Sequence, residues 1–486
     1  MKIAFASSEM IPFAKTGGLA DVCGTLPKEL AKLGNEVKVF MPKYYEVNEY
    51  EYGHHYDSLI GELKISLNGF MHSVHVFYGK LPNSKVDAYF VHYPPFFHRK
   101  KLYTSDWDED ERFILFSKAV IQIMQKLGWS PDILHTNDWQ TGLIPVLLRE
   151  IYGWDSLFHK TKTVFTIHNI GYQGRFSLES YKRAELPKHL YENGGVLVHE
   201  NDSNFLKCAI LYSDVINTVS ETYAKELLTP EYGAGMDGYL WHRTEDYYGI
   251  INGVDYNIWN PEVDKYIPHK FSANDLSGKA KNKKYLLDKV GLPFNSDIPL
   301  IGIVTRLVSQ KGVDIIVEAL PELLNLKIQI ILLGSGEKHF EEIFQQAALF
   351  APKKLAAFFG YSEELAHLIE AGSDIFLMPS QYEPCGLNQI YSLKYGTVPV
   401  VRKTGGLADT VQDWNEYNAY GEDTGTGFSF YEYSAAALLQ SVKRAINDFK
   451  NELVWRKIQS NGMSKDYSWK NSAKEYMALY HRALSK

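Results

Sequence analysis

The sequence predicts an α/β protein made of two doubly wound parallel-sheet domains, and three observations carry that prediction. At 486 residues the chain is too long for one ordinary core, so two domains are expected. Strands alternate with helices from the first residues, and the alternation starts afresh at Ile298 after a break around Ile250–Asp255. The heptapeptide Lys-Thr-Gly-Gly-Leu-Ala-Asp occurs twice, at Lys15–Asp21 and at Lys403–Asp409, once in each half. A glycine pair opening a helix lets backbone N–H groups approach an anion, which the helix's positive N-terminal end favours. Two such loops suggest two nucleotide-type domains facing one phosphorylated ligand across a cleft, an arrangement suited to group transfer.

The elements follow in order. Ile3–Ala6 reads as a short buried strand and Pro12–Gly18 as the loop after it. Leu19, Val22, Leu26, Leu30 and Leu33 recur at spacings of three and four, which places them on one helical face. Gly34-Asn35 stops that helix, and Val37–Met41 is the next strand, closed by Pro42. Ile133–His135 and Thr163–His168 are further strands, each followed by polar loop residues. The stretch from Asn260 to Lys284 is polar and contains Pro and Lys. In the second series Pro299–Val304 is a strand, Arg306–Gly312 a loop, Val313–Leu324 a helix, and Ile328–Leu333 a strand running into Gly334-Ser335-Gly336. Asp374–Met378 and Thr397–Val401 are later strands, the last leading into the second glycine loop. Because the two loops follow strands at different places in their halves, they are a recurrent solution rather than an in-register duplication. Trp469–Leu484 carries Ala473, Tyr476, Met477 and Tyr480 at helical spacing.

Composition excludes several classes. A formal charge of −7 leaves no basic footprint for nucleic acid and no polybasic membrane patch. The three cysteines, Cys23, Cys208 and Cys385, lack CxxC spacing, which argues against a disulfide framework and a structural zinc site. No His-Glu-x-x-His occurs, so neither a metal nor any other cofactor is expected. The apolar run at the N-terminus is short and broken by Glu9, no stretch reaches the roughly 18–20 apolar residues of a membrane span, and a cytoplasmic protein is expected.

Candidate chemistry sits in the loops. Gly17-Gly18 is either a tight connection or an anion cradle, and Lys15 favours the cradle because its ammonium reaches a phosphate offered to those amides. Neither a Walker pattern nor Gly-x-Gly-x-x-Gly is present. Asp21 is either a partner of the helix dipole or a hydrogen-bond partner for substrate hydroxyls. Arg306 and Lys311 lie at the carboxyl end of a strand, where open α/β sheets bind ligands. Two loop cations are commonly just solvated, yet a nucleoside diphosphate leaving group needs such donors. In Glu383-Pro384-Cys385-Gly386-Leu387 an exposed acid at a strand-to-helix junction is poorly explained by packing. Cys385 reads as a small buried thiol, not a nucleophile. His135 and Asp138 end one strand and His168 another, and both strand ends are expected to line the cleft.

Together these segments resemble bacterial glycogen synthases and plant starch synthases. The matching stretches are Lys15–Val22, His135–Gly142, Phe165–Gly174, Gly249–Asp255, Thr305–Asp314, Asp374–Tyr395 and Gly396–Val411, in the family's order over nearly the whole chain. The resemblance implies the GT-B fold, two Rossmann-like domains facing a deep cleft: residues 1–252 on the acceptor side, 253–468 binding the nucleotide sugar, and a C-terminal helix (469–486) crossing back onto the first. It implies transfer of glucose with retention from ADP-glucose to the 4-hydroxyl of an α-1,4-glucan such as glycogen. Catalytic roles then fall on Glu383, His168, Arg306, Lys311 and Asp138. Lys15, Gly17, Gly18, Asn252, Tyr361, Cys385, Gly386 and Leu387 would bind the nucleotide sugar, Tyr361 by stacking on the base. Asp21 and Asn169 are assigned to the acceptor or sugar side. Two departures from the family pattern, Gln140 and Lys403, remove none of these contacts. The rival readings are the same reaction with UDP-glucose and a non-catalytic glucan-binding protein, the latter suggested by 33 Tyr, 25 Phe and 9 Trp. An oxidoreductase is disfavoured by the missing dinucleotide fingerprint.

Overall fold

The computed structural model describes all 486 residues. They divide into two compact units: Met1–Val219 with Ala224–Ile250 and Trp469–Lys486, and Ser220–Tyr223 with Ile251–Ser468.

The first unit is built on a ten-stranded sheet. Its strands are β1 (Lys2–Ala6), β2 (Glu36–Pro42), β3 (His55–Tyr56), β4 (Glu62–Leu67), β5 (Phe70–Lys80), β6 (Asp87–His92), β7 (Ile133–Asn137) and β8 (Lys162–Ile167). A separate ribbon follows, β9 (Arg175–Phe176) with β10 (Ser203–Asn204), before β11 (Val215–Thr218) and β12 (Tyr247–Gly249) rejoin the main sheet. The order is β12-β11-β8-β7-β1-β2-β6-β5-β3, with β4 paired to β5. From β12 to β6 every pairing is parallel. Ile3, Ala4, Phe5 and Ala6 are all buried, as expected of a central strand covered on both faces.

The edge departs from the purely parallel sheet expected from sequence, because β3, β4 and β5 are antiparallel additions. β4 alternates exposed and buried residues, the pattern of a half-solvated strand. Asn68 and Gly69, both at positive φ, make its turn to β5, and that Asn-Gly pair was a readable hairpin signal.

The helix α1 (Gly18–Lys32) buries Leu19, Val22, Leu26 and Leu30. Leu33, expected on the same face, is 45% exposed because it is the cap residue where the chain turns away into Gly34. The C-terminal helix, Trp469–Leu484, packs on α1 and on β7, β8 and β11 through Ala473, Tyr476, Leu479 and Tyr480.

The second unit holds a six-stranded, wholly parallel sheet: β13 (Leu300–Val304), β14 (Gln329–Gly334), β15 (Leu355–Phe359), β16 (Ile375–Met378), β17 (Val398–Arg402) and β18 (Phe428–Phe430). Their order is β15-β14-β13-β16-β17-β18. Side chains alternate between two cores. Ile301, Ile303, Ile330 and Leu332 pack with α2 (Val313–Asn325) on one face, while Leu300, Ile331 and Leu333 pack with Leu368 and Ile369 on the other. Each fully buried side chain of this kind contributes ~1.5–3 kcal/mol relative to exposure.

The polar stretch Asn260–Lys284 is not a solvated connection. Lys279 is buried, donating to Thr397 Oγ1 (2.6 Å) and to the carbonyls of Glu370 and Ala371, and burial brings its ammonium down to about 7. Lys283 pairs with Asp374 at 2.6 Å. Lysines that bind carbonyls and an acid at strand starts are structural, which composition alone does not reveal.

Strand order fixes where ligands can bind. In the first unit the chain goes from β1 to β2 on one side and later adds β7 on the other. In the second, β13 is flanked by β14 and β16. Loops leaving the carboxyl ends of β1 and β7, and of β13 and β16, therefore lie at switch points, where open α/β sheets bind their ligands, and the loop after β8 is next to the first of them.

Candidate active site

In the first unit, β1 runs into a loop that ends at Gly17 and Gly18. A Cβ added at either glycine would meet nothing within 4 Å, so the start of α1 is open to a ligand. Beneath it lies Glu9, which is buried. Its carboxylate accepts from the Thr16 N–H at 2.5 Å, from Thr16 Oγ1 at 3.0 Å and from Tyr103 Oη at 3.2 Å. Burial raises the Glu9 carboxyl while these donors oppose the shift. Lys15 folds onto the first turn of the helix, its Nζ 2.7 Å from Asp21 Oδ1. Burial raises Asp21 as well, against the pull of Lys15.

At the end of β7, Asp138 has φ 54° and ψ −179°, a backbone setting that residues other than glycine rarely adopt. The bend turns its carboxyl toward the neighbouring strand end, where it accepts the His168 N–H at 2.7 Å and the Asn169 N–H. Burial pushes the Asp138 carboxyl up to about 7. His168 is held down to about 3 by burial, so its ring is neutral, with Nε2 2.9 Å from Asn137 Oδ1. Asn169 turns its own Oδ1 onto the Gly171 N–H. Asp138, His168 and Asn169 thus form one hydrogen-bonded group. His135, expected at the same edge, instead lies in the core: Nδ1 is 2.8 Å from Tyr480 Oη and Nε2 2.6 Å from Thr166 Oγ1. It faces the C-terminal helix because it is two residues from the strand's last position.

In the second unit, Lys311 and Glu383 form a pair at 2.6 Å, to which Ser380 Oγ adds a bond to Glu383 Oε2 at 3.1 Å. Glu383 is only 5% exposed, whereas Arg306 projects into solvent with Nη2 3.4 Å from Gln310 Oε1. Gln310 in turn donates to the Tyr382 carbonyl at 2.8 Å, joining the β13 and β16 loops. Gly312 makes this close approach possible. It has φ 74°, and a Cβ there would sit 2.1 Å from the Pro379 carbonyl oxygen. Cys385, Gly386 and Leu387 lead into α3 (Asn388–Lys394), with Gln389 Nε2 holding the carbonyls of Cys385 and Gly386 and Asn388 Nδ2 holding that of Val304. Burial pushes the Cys385 thiol up to about 12, against a bond from the Asn252 N–H, so it is no nucleophile. Asn252 is itself buried, and its Oδ1 has no hydrogen-bond partner, which marks it as an acceptor waiting for a donor. Tyr361, just beyond β15, exposes 86% of its surface.

The second glycine loop behaves differently from the first. It opens α4 (Gly405–Thr410), but the Gly406 N–H donates to the Glu383 carbonyl at 3.1 Å, and a Cβ on Gly406 would fall 2.1 Å from the Cys385 carbonyl oxygen. Lys403 pairs with Glu416 at 2.7 Å, and Asp409 accepts from Thr222 N–H and Oγ1. The loop supports the Glu383–Leu387 segment. It is not the open phosphate cradle expected from the repeat.

The chain matches known proteins over its whole length. Residues 2–242 match the profile described as starch synthase catalytic domain, and 287–460 that of glycosyl transferases group 1. Glycogen synthase from Thermosipho melanesiensis is 45% identical over 100% of both chains, and that from Thermotoga maritima 44% identical over 100% of this chain and 99% of its own. The chain belongs to the glycogen and starch synthase family. It is accordingly a glycosyltransferase of the two-domain GT-B class. The catalytic domain of starch synthase IV from Arabidopsis thaliana, solved with ADP and acarbose, superposes with TM-score 0.91 and 34% identity, covering 100% of this chain and 99% of that one. A sucrose-phosphate synthase from Thermosynechococcus elongatus, 18% identical with TM-score 0.61, shares the fold. No helix is long and apolar enough to cross a membrane.

Sequence reasoning passed over Glu9 and Asn137 in the first unit and Ser380 in the second. Glu9 carried a signal, since an acid just past the carboxyl end of an apolar strand sits where ligands bind. Asn137 and Ser380 carried none, because polar residues at strand ends are common.

Proposed function

We propose that the protein transfers glucose from ADP-glucose to the 4-hydroxyl at the non-reducing end of an α-1,4-glucan, with retention, releasing ADP. The observation that carries this reading is the Lys311–Glu383 pair with Arg306 beside it, at the adjacent strand ends of β13 and β16. Two cations on loops of a parallel sheet suit a diphosphate, and a buried acid held by one of them suits a sugar hydroxyl. As the C1–O bond to the diphosphate breaks, charge grows on the departing phosphate oxygen, and Arg306 and Lys311 stabilise it. The acceptor 4-oxygen bonds to C1 on the face the phosphate leaves, and the hydroxyl proton passes to the phosphate. No second inversion through a protein nucleophile is needed.

In this reading the two units divide the work. Lys15 and the amides of Gly17 and Gly18 approach the donor's phosphates and sugar, while Asp138, His168 and Asn169, with Asp21, address sugar hydroxyls. Asn252 and the Cys385–Leu387 backbone hold the glucose, and the exposed Tyr361 ring stacks on the base. Residues 1–252 with the C-terminal helix form the acceptor domain and 253–468 the donor domain. A cytoplasmic setting suits the nucleotide-sugar donor.

The test is transfer of radiolabelled glucose to glycogen from ADP-glucose and from UDP-glucose. Label should enter glycogen faster from ADP-glucose, with ADP released in equal amount. Faster transfer from UDP-glucose would overturn the donor assignment, and glycogen binding without transfer from either would overturn the reaction.

A further inference from the structure

His168 is buried and neutral, so its ring carries one proton and has one lone-pair nitrogen. Which nitrogen is which decides whether the ring donates to a ligand or accepts from it. The structure supplies the answer through Asn137. His168 Nε2 lies 2.9 Å from Asn137 Oδ1, while Asn137 Nδ2 donates to the Ala6 carbonyl at 3.0 Å. A carbonyl only accepts, so the Asn137 amide has one satisfactory orientation: NH₂ toward Ala6, oxygen toward His168. Turning it over would set two acceptors against each other inside the protein, leaving both unsatisfied. Asn137 cannot swing aside either. It is buried, and its N–H is bound by Thr141 Oγ1 at 2.6 Å. The His168 backbone is fixed independently by Asp138 Oδ1.

We infer that Asn137 is a positioning residue that locks His168 in the Nε2–H form, so that Nδ1 offers a lone pair to a substrate hydroxyl. The constraint passes through three neighbouring strand ends, Ala6 on β1, Asn137 on β7 and His168 immediately after β8. His135, two residues before Asn137, is held in the same form by another route: Thr166 Oγ1 donates to Asn217 Oδ1 at 2.7 Å and therefore accepts from His135 Nε2, which leaves Nδ1 to accept from Tyr480 Oη. The functional half of this inference rests on the proposed reading, in which His168 faces a sugar. A ring that accepts from a hydroxyl rejects a sugar lacking it, since Nδ1 would be left unpaired.

The test uses the full-length protein with ¹⁵N-labelled histidine. Two-bond ¹H–¹⁵N correlation spectra distinguish the tautomers, and the His168 signals are identified by their loss in His168→Ala. Without ligand, the wild-type ring should carry its proton on Nε2. In Asn137→Leu the ring should become a mixture or change to the Nδ1–H form, and kcat/KM for ADP-glucose should fall roughly 10–100-fold, the loss expected when a buried acceptor is left unpaired. A proton on Nδ1 in the wild-type protein overturns the inference, and that spectrum decides the matter even where the leucine variant does not fold. An unchanged tautomer in a folded Asn137→Leu protein overturns it too, as does a changed tautomer with unchanged turnover. Should the wild-type protein show the Nε2–H form but transfer no glucose from ADP-glucose, the donor reading fails and the lock stands.

Discussion

The same seven residues, Lys-Thr-Gly-Gly-Leu-Ala-Asp, open helices in both units and do different work. In the first unit Gly17 and Gly18 have empty space where side chains would go, and Lys15 pairs within the heptapeptide itself, with Asp21. In the second, Gly406 packs under the Cys385 carbonyl, Lys403 is occupied by Glu416, and Asp409 is bound by Thr222. The acids beside these loops differ as well. Glu9 and Asp138 are buried and held by N–H and O–H donors, whereas Glu383 has Lys311 at 2.6 Å. A motif therefore sets a local conformation, and what packs on it decides whether it binds a ligand or supports a neighbour that does.

The largest expected effect tests the contrast between the acids. Asp138 has its carboxyl pushed up to about 7, against roughly 3.9 in an unfolded chain. A raised carboxyl favours the fold fully below about pH 4 and loses that contribution as pH rises toward 7. Asp138→Asn should therefore gain on the wild type by up to ~4 kcal/mol between pH 4 and pH 8, measured as the difference in urea midpoints. A difference that does not change with pH would mean that the acid is no more costly to ionise than an exposed one.

Next come the cations. Arg306→Ala and Lys311→Ala should each lower turnover about 10²–10³-fold, the scale of losing one donor to a developing anion. Lys403→Ala, in the supporting loop, should stay within about threefold of wild type in ADP release. Equal losses at 403 and 306 would erase the distinction between the loops.

Smaller effects separate the glycines. Gly406→Ala forces a methyl against backbone and should cost ~1–3 kcal/mol in stability. Gly17→Ala, in extended backbone with open space, should stay within ~0.5 kcal/mol by thermal melting while raising KM for the donor. A stable Gly406→Ala would show that the second loop also has room for a ligand.

Much of the fold was legible because its signals are local. The α1 spacing, the β13–Lys311–α2 unit and the C-terminal stripe each report a buried face directly. The role of the second glycine loop was not legible, since nothing in Lys403–Asp409 reveals that Cys385 will lie 2.1 Å from a missing Cβ. The burial of Lys279 was not legible for the same reason: its partners Glu370, Ala371 and Thr397 lie some ninety or more residues away. At the site, cations and acids were found by their place after strands. Asn137 and Ser380, which hold other residues in place, became visible only through their hydrogen bonds.

The chain leaves its first unit at Ile250 and returns to it only at Trp469. Until that last helix emerges from the ribosome, His135 and Asn217 lack Tyr480 and Tyr476, the hydroxyls 2.8 Å and 3.3 Å away that close their bonds. Synthesis thus completes the domain begun second before the domain begun first. A nascent chain that stops short of Trp469 carries a finished second half and an N-terminal core in which the bonds of His135 and Asn217 are still open.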